Sequence, residues 1–142
     1  MATIRQLLES KGSDVWSIGP DASVYESMKL MADKGIGALV VLDGGKLVGI
    51  ISERDYARKV VLKERASKQT LVSEIMSKDV LYARPDHTVE ECLALMTEKR
   101  TRHLPVLDGD ELVGIISIGD LVKSVIDEQQ HVIEQLEHYI RG

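Results

Sequence analysis

The chain has 142 residues, 44% of them hydrophobic and 29% charged, and a net charge of -5 at pH 7. That is the balance of a soluble globular protein of one ordinary domain or two very small ones, and the acidic surplus weighs against general nucleic-acid binding, which draws on a basic surface. A single cysteine, Cys92, excludes an intramolecular disulfide and a cysteine-rich zinc site.

With no Phe and one Trp, the core must come from Ile, Leu, Val, Met and Ala. The opening MATIRQLLESKG lacks a signal-peptide pattern. No apolar run approaches the roughly 18 residues of a membrane span. A cytoplasmic protein without a membrane partner is therefore expected.

In chain order, TIRQLLES reads as a helical segment and VWSI as a short strand. PDASVYE then opens a helix. Ser23 and Glu26 have capping-box spacing, and Val24, Met28 and Met31 share the apolar face. ALVVLDGGKLVGIIS follows, two β-rich runs around Asp-Gly, a hairpin signal. A second helix is predicted from about Asp55, and the polar stretch 63–69 reads as a connector.

TLVSEIMS and VLYA repeat the first helical segment and strand. PDHTVEE opens another helix, capped by Thr88 with Glu91 and burying Val89, Leu93 and Met96. HLPVLDGDELVGIIS is a second hairpin, and a last helix is predicted from about Asp120. EQQHVIEQLEHYI extends that helix. Val132, Leu136 and Ile140 lie four apart on one face, with Ile133 beside them, and this stripe requires cover from the same chain or from a second subunit.

Shifted by 65 residues, the chain aligns with itself without a gap from Val15 and Val80 to Val60 and Val125. It is a tandem repeat of strand, helix, strand, strand, helix. One such unit has a poor surface-to-volume ratio, and two packed sheet to sheet bury what one cannot.

Within each copy GIISERD or GIISIGD ends the hairpin. Its S-x-x-D has two readings. Ser52 and Ser117 can cap a helix, with Asp55 and Asp120 favouring the positive end of its dipole. The same helix start offers N–H donors to phosphate, and its carboxylate can accept from both hydroxyls of a ribose.

The repeat order, the G-h-h-S-x-x-D segment in both copies, RHLPV at residues 102–106 and SERDYARKV at residues 52–60 resemble a tandem pair of CBS domains, similar to stand-alone bacterial and organellar two-CBS proteins. The resemblance implies an α+β fold of two βαββα units with pseudo-twofold symmetry, a Bateman module. Residues 1–65 form the first CBS domain with its N-terminal helix, and 70–142 the second with its helical extension. It further implies AMP, ADP, ATP or NAD in clefts between units, as a ligand and not a catalytic cofactor, and modules paired as a homodimer.

By the same resemblance Asp55 and Asp120 match the ribose-binding aspartate. Ser52 and Ser117 match the Ser/Thr that contacts phosphate or ribose. Arg102 and His103 stand where basic residues reach phosphate; the first copy has Gly37 and Ala38 there. Arg54, beside Asp55, is the first copy's own basic group. Ser17, Ile18, Tyr82 and Ala83 flank the expected adenine position. The two nucleotide sites are thus expected to differ.

His103, Ser117 and Asp120 could be drawn as a hydrolytic triad, but the nucleophile elbow is missing. The four histidines lack zinc spacing. The expectation is a non-catalytic adenine-nucleotide sensor acting on an unidentified partner protein. A ligand-free dimerisation module and a nucleic-acid-binding regulator using the helix at 53–68 are its rivals.

Overall fold

The computed structural model describes residues 2–141 and has two compact units that interleave in sequence. One is Val15–Leu81. The other joins residues 2–14 to 82–141. In each unit the repeat copy is completed by the short helical segment that precedes the other copy in sequence.

In the unit Val15–Leu81, β1 (Ser17–Ile18) pairs parallel with β2 (Ala38–Asp43), which pairs antiparallel with β3 (Lys46–Ser52). Between β2 and β3, Gly44 and Gly45 sit at φ 58° and 81°, the two positive values that a type I′ hairpin turn demands. Helix α2 (Val24–Lys34) starts at Ser23, whose hydroxyl accepts the Glu26 N–H at 3.1 Å, and stops at left-handed Gly35.

After β3 come α3 (Glu53–Tyr56) and, without a break, a π-helical turn, π1 (Ala57–Val61). The expected regular helix from about Asp55 thus starts two residues earlier and widens after one turn. The unit closes with α4 (Val72–Ile75). Val24, Met31, Leu39, Val41, Ile51, Val60, Val72 and Ile75 form its core.

The second unit repeats the plan. Its α5 (Val89–Lys99) is capped by Thr88 and Glu91 as a full capping box and ends at Arg100, a non-glycine at φ 53°. Strands β4 (His103–Asp108) and β5 (Glu111–Ser117) form the hairpin. The expected VLYA strand is reduced to one bridge, in which the Ala83 N–H donates to the Pro105 carbonyl and the Ala83 carbonyl accepts from Leu107, each at 2.9 Å.

Both hairpins shift register at the same point, after Val41 opposite Gly49 and after Val106 opposite Gly114. The last helix, α6 (Ile118–Arg141), has 24 residues.

Helix α1 (Ile4–Lys11) joins this second unit. The Ile4 N–H donates to the His87 carbonyl at 2.8 Å, and the Val89 N–H to the Ala2 carbonyl at 3.0 Å. In the first unit, the Val72 N–H bonds to Ala22 and the Val24 N–H to Thr70, both at 2.8 Å. The apolar residues of the two crossing segments drive this. Ile4, Leu7 and Leu8 enter the core with Met96, Leu104 and Leu121, while Val72 and Ile75 enter the other core. Hydrophobic spacing marks such a segment as one to be buried, but not which copy buries it.

Candidate functional site

The two Ser-x-x-Asp segments end β3 and β5 and start the following helices. In the first unit Ser52 and Asp55 make a reciprocal capping box. The Asp55 N–H donates to the Ser52 hydroxyl at 3.3 Å, and Asp55 Oδ2 accepts the Ser52 N–H at 2.9 Å and the Ser52 hydroxyl at 3.1 Å. In the second unit the Asp120 N–H donates to Ser117 Oγ at 3.1 Å, and Asp120 Oδ2 accepts the Ser117 N–H at 2.8 Å. One further bond steadies each start: Glu53 N–H to the Gly37 carbonyl at 3.1 Å, and Ile118 N–H to the Arg102 carbonyl at 2.9 Å. The helix-cap reading therefore holds in both copies.

Each carboxylate also carries a lysine. Lys59 Nζ lies 3.1 Å from Asp55 Oδ1 and donates to the Ile75 carbonyl at 2.8 Å. Lys11 Nζ lies 2.7 Å from Asp120 Oδ2 and donates to the Ile115 carbonyl at 2.8 Å. The copies reach the same pairing from unrelated positions. Lys59 rides on π1, one turn beyond Asp55, so the widened turn sits at the site. Lys11 comes from the last turn of α1, 109 residues from Asp120.

The two aspartates differ in consequence. Asp55 is 9% exposed and has both carboxylate oxygens engaged. In Asp120 the Ser117 N–H and the Lys11 ammonium converge on one oxygen, Oδ2. Burial pushes the Asp120 carboxyl up, but the Lys11 hydrogen bond, the Ser117 N–H and the Lys11 charge outweigh it and hold the group below its ordinary value. It is a fixed anion at neutral pH, able to accept two hydroxyl donors from a vicinal diol.

The remaining predicted residues fall into place by unit. Arg54 is exposed on α3, beside Asp55. Ser17 is exposed and Ile18 half-buried on β1. Arg102 is exposed, and half-buried His103 starts β4 opposite Ser117. Tyr82 is 40% exposed with the Arg84 guanidinium over its ring. Ala83 is fully buried, with both backbone polar groups bonded to β4.

Lys11 and Lys59 were absent from the expected set. The i,i+4 spacing of Asp55 and Lys59 is a usable signal. Nothing in the sequence relates Lys11 to Asp120. Cys92 packs in the second core, where burial and the charge of Glu91 raise its thiol pKa to about 11, so it is an unreactive core group. Among the described residues there is no group of His, Cys, Asp and Glu fit to hold a metal, and no helix long and apolar enough to cross a membrane.

The CBS domain matches this chain twice, over residues 5–62 and 72–127. The CBS domain-containing protein CBSX3, mitochondrial, of Arabidopsis thaliana is 37% identical over 99% of this chain and 72% of its own length. A Burkholderia ambifaria protein with CBS domains, solved as a structure, is 56% identical with a TM-score of 0.88, covering 90% of this chain and 96% of that one. The CBS domain pair of protein MJ0100, solved with 5′-methylthioadenosine and S-adenosyl-L-methionine, is 25% identical with a TM-score of 0.80, covering 90% and 98%.

Proposed function

Since the chain belongs to the CBS-domain family, with two CBS domains in tandem, we propose that it is a non-catalytic regulatory module that binds adenine nucleotides, one site centred on Asp55 and one on Asp120. The carrying observation is that each unit builds a Ser–Asp cap whose carboxylate is held by a lysine. The MJ0100 domain pair supports the ligand class, because both of its ligands contain adenosine.

The chemistry follows from the donor set. Asp55 and Asp120 accept from the two ribose hydroxyls, while Ser52 and Ser117 reach ribose or phosphate. Arg54 supplies phosphate charge to one site, and Arg102 and His103 to the other. Ser17 and Ile18, and Tyr82 and Ala83, flank the base. AMP, ADP, ATP and NAD all carry this ribose.

The sites are unequal. Ligand entry at Asp55 requires Lys59 to give up an oxygen, whereas at Asp120 the lysine shares an oxygen with the Ser117 N–H. The Asp120 site is therefore the tighter. Binding changes the population of module geometries in proportion to the ligand's differential affinity for them. A partner protein reads the result, and pairing of modules into a homodimer offers it a larger surface.

Isothermal titration of the protein with AMP, ATP, NAD and, as a control, GMP tests the proposal. Saturable binding of at least one adenine nucleotide in preference to GMP is expected. No heat from any of them at millimolar concentration would overturn it.

A further inference from the structure

Only the start of α6 is anchored: Leu121 is buried and Val125 packs against the core of its unit. Every residue from 129 to 141 is exposed. An unsupported helix of that length is marginal in water, yet this one carries an apolar stripe interrupted once, at Gln129. Ile126, Ile133 and Ile140 recur every seven residues, and Val122, Gln129 and Leu136 take the alternate position. Val132 and Tyr139 widen the stripe on one side.

From the stripe we infer that the distal part of α6 pairs with the same segment of a second copy of this chain, as a short parallel two-stranded coiled coil. Three observations select that occupant. First, Ile at a in 126, 133 and 140 with Leu136 at d is the pattern that favours two parallel strands, and the polar Gln129 is satisfied in the seam only when it faces its own counterpart.

Second, the apolar side chains of the stripe, Val122, Ile126, Val132, Ile133, Leu136, Tyr139 and Ile140, are 44% to 85% exposed. They offer on the order of several hundred Å² per chain, the scale of a stable interface, roughly 800 Å² per partner. Third, the exposed polar positions of this stretch carry Asp127, Glu128, Glu134 and Glu137 against Lys123 and Arg141, a net negative face. An amphipathic helix that lies on an anionic membrane surface needs a basic polar face instead. The pairing does not depend on nucleotide binding.

The test is light scattering behind size exclusion on the full chain over a concentration series. The wild-type mass should be an even multiple of 15.8 kDa. Ile133→Glu with Leu136→Glu should halve it at fixed concentration, through a loss of self-affinity of at least about thirtyfold. Because these side chains lie outside both cores, the far-ultraviolet circular dichroism of the units should persist.

Gln129→Leu, which removes the polar layer, should tighten self-association, and Ile133→Cys should cross-link to its own counterpart on oxidation. A monomeric wild type, an unchanged mass in the double variant, no tightening by Gln129→Leu, or no Ile133→Cys cross-link would each overturn the assignment.

Discussion

Replacing Lys11 with Met removes one ammonium and two contacts, to Asp120 Oδ2 at 2.7 Å and to the Ile115 carbonyl at 2.8 Å. The Asp120 carboxylate keeps the Ser117 N–H. The side chains of the pair are 32% and 27% exposed, so solvent screens the attraction and the buried-pair scale does not apply. About 1 kcal/mol of stability should be lost at neutral pH, the upper end for pairs near the surface. For a chain of this size that lowers the melting temperature by roughly 2–4 °C.

The pH dependence carries the sign. The folded-state Asp120 carboxyl sits below its ordinary value. Its contribution is therefore complete above the unfolded-state pKa of about 3.9 and disappears as pH falls through the lower folded value. Urea melts of wild type and Lys11→Met should differ at pH 7 and converge in that acid window. A double-mutant cycle with Asp120→Asn should return a coupling of about 1 kcal/mol at low ionic strength, smaller in high salt. Zero coupling at pH 7, or a difference that grows on acidification, would refute the pairing.

Two other perturbations bear on the same region. Ser52→Ala and Ser117→Ala each delete a helix cap and should cost about 1 kcal/mol in urea melts; neutral substitutions would show that the caps are not formed in solution. At Gly49 an added Cβ would meet Met76 Sδ at 2.6 Å and the Ser77 carbonyl oxygen at 3.0 Å, whereas at Gly114 it would meet a Leu8 methyl at 2.7 Å. Gly49→Ala should cost roughly 1–3 kcal/mol, and Gly114→Ala less because a methyl at the end of a side chain can turn aside; thermal melts giving the opposite order would contradict this packing.

The hairpins, the Ser23 and Thr88 caps and the paired Ser-x-x-Asp segments were legible because each is a local pattern. Turn residues, cap spacing and strand alternation all act within a few positions. The interleaving of the units was not legible. Ile4 and Val72 are buried by whichever copy lies within reach, and an apolar spacing does not name its partner. Lys11 escaped for the same reason, since its carboxylate is distant in sequence.

The π turn at Ala57–Val61 has no signal in the sequence; it shows only in the hydrogen bonding, as in Leu62 N–H to the Ala57 carbonyl at 3.1 Å. The cap and ligand readings of Ser-x-x-Asp, alternatives on the sequence, are compatible in the structure. The cap uses Oδ2 of each aspartate and leaves the second oxygen as the place where the copies differ.

The most direct test of nucleotide binding through these aspartates is calorimetry of Asp55→Ala, Asp120→Ala and the double variant with the nucleotide that binds wild type best. Asp120→Ala should abolish the tighter binding event and Asp55→Ala the weaker one. The double variant should show neither, while all three retain cooperative melts. Wild-type titration curves from the folded double variant would contradict the account.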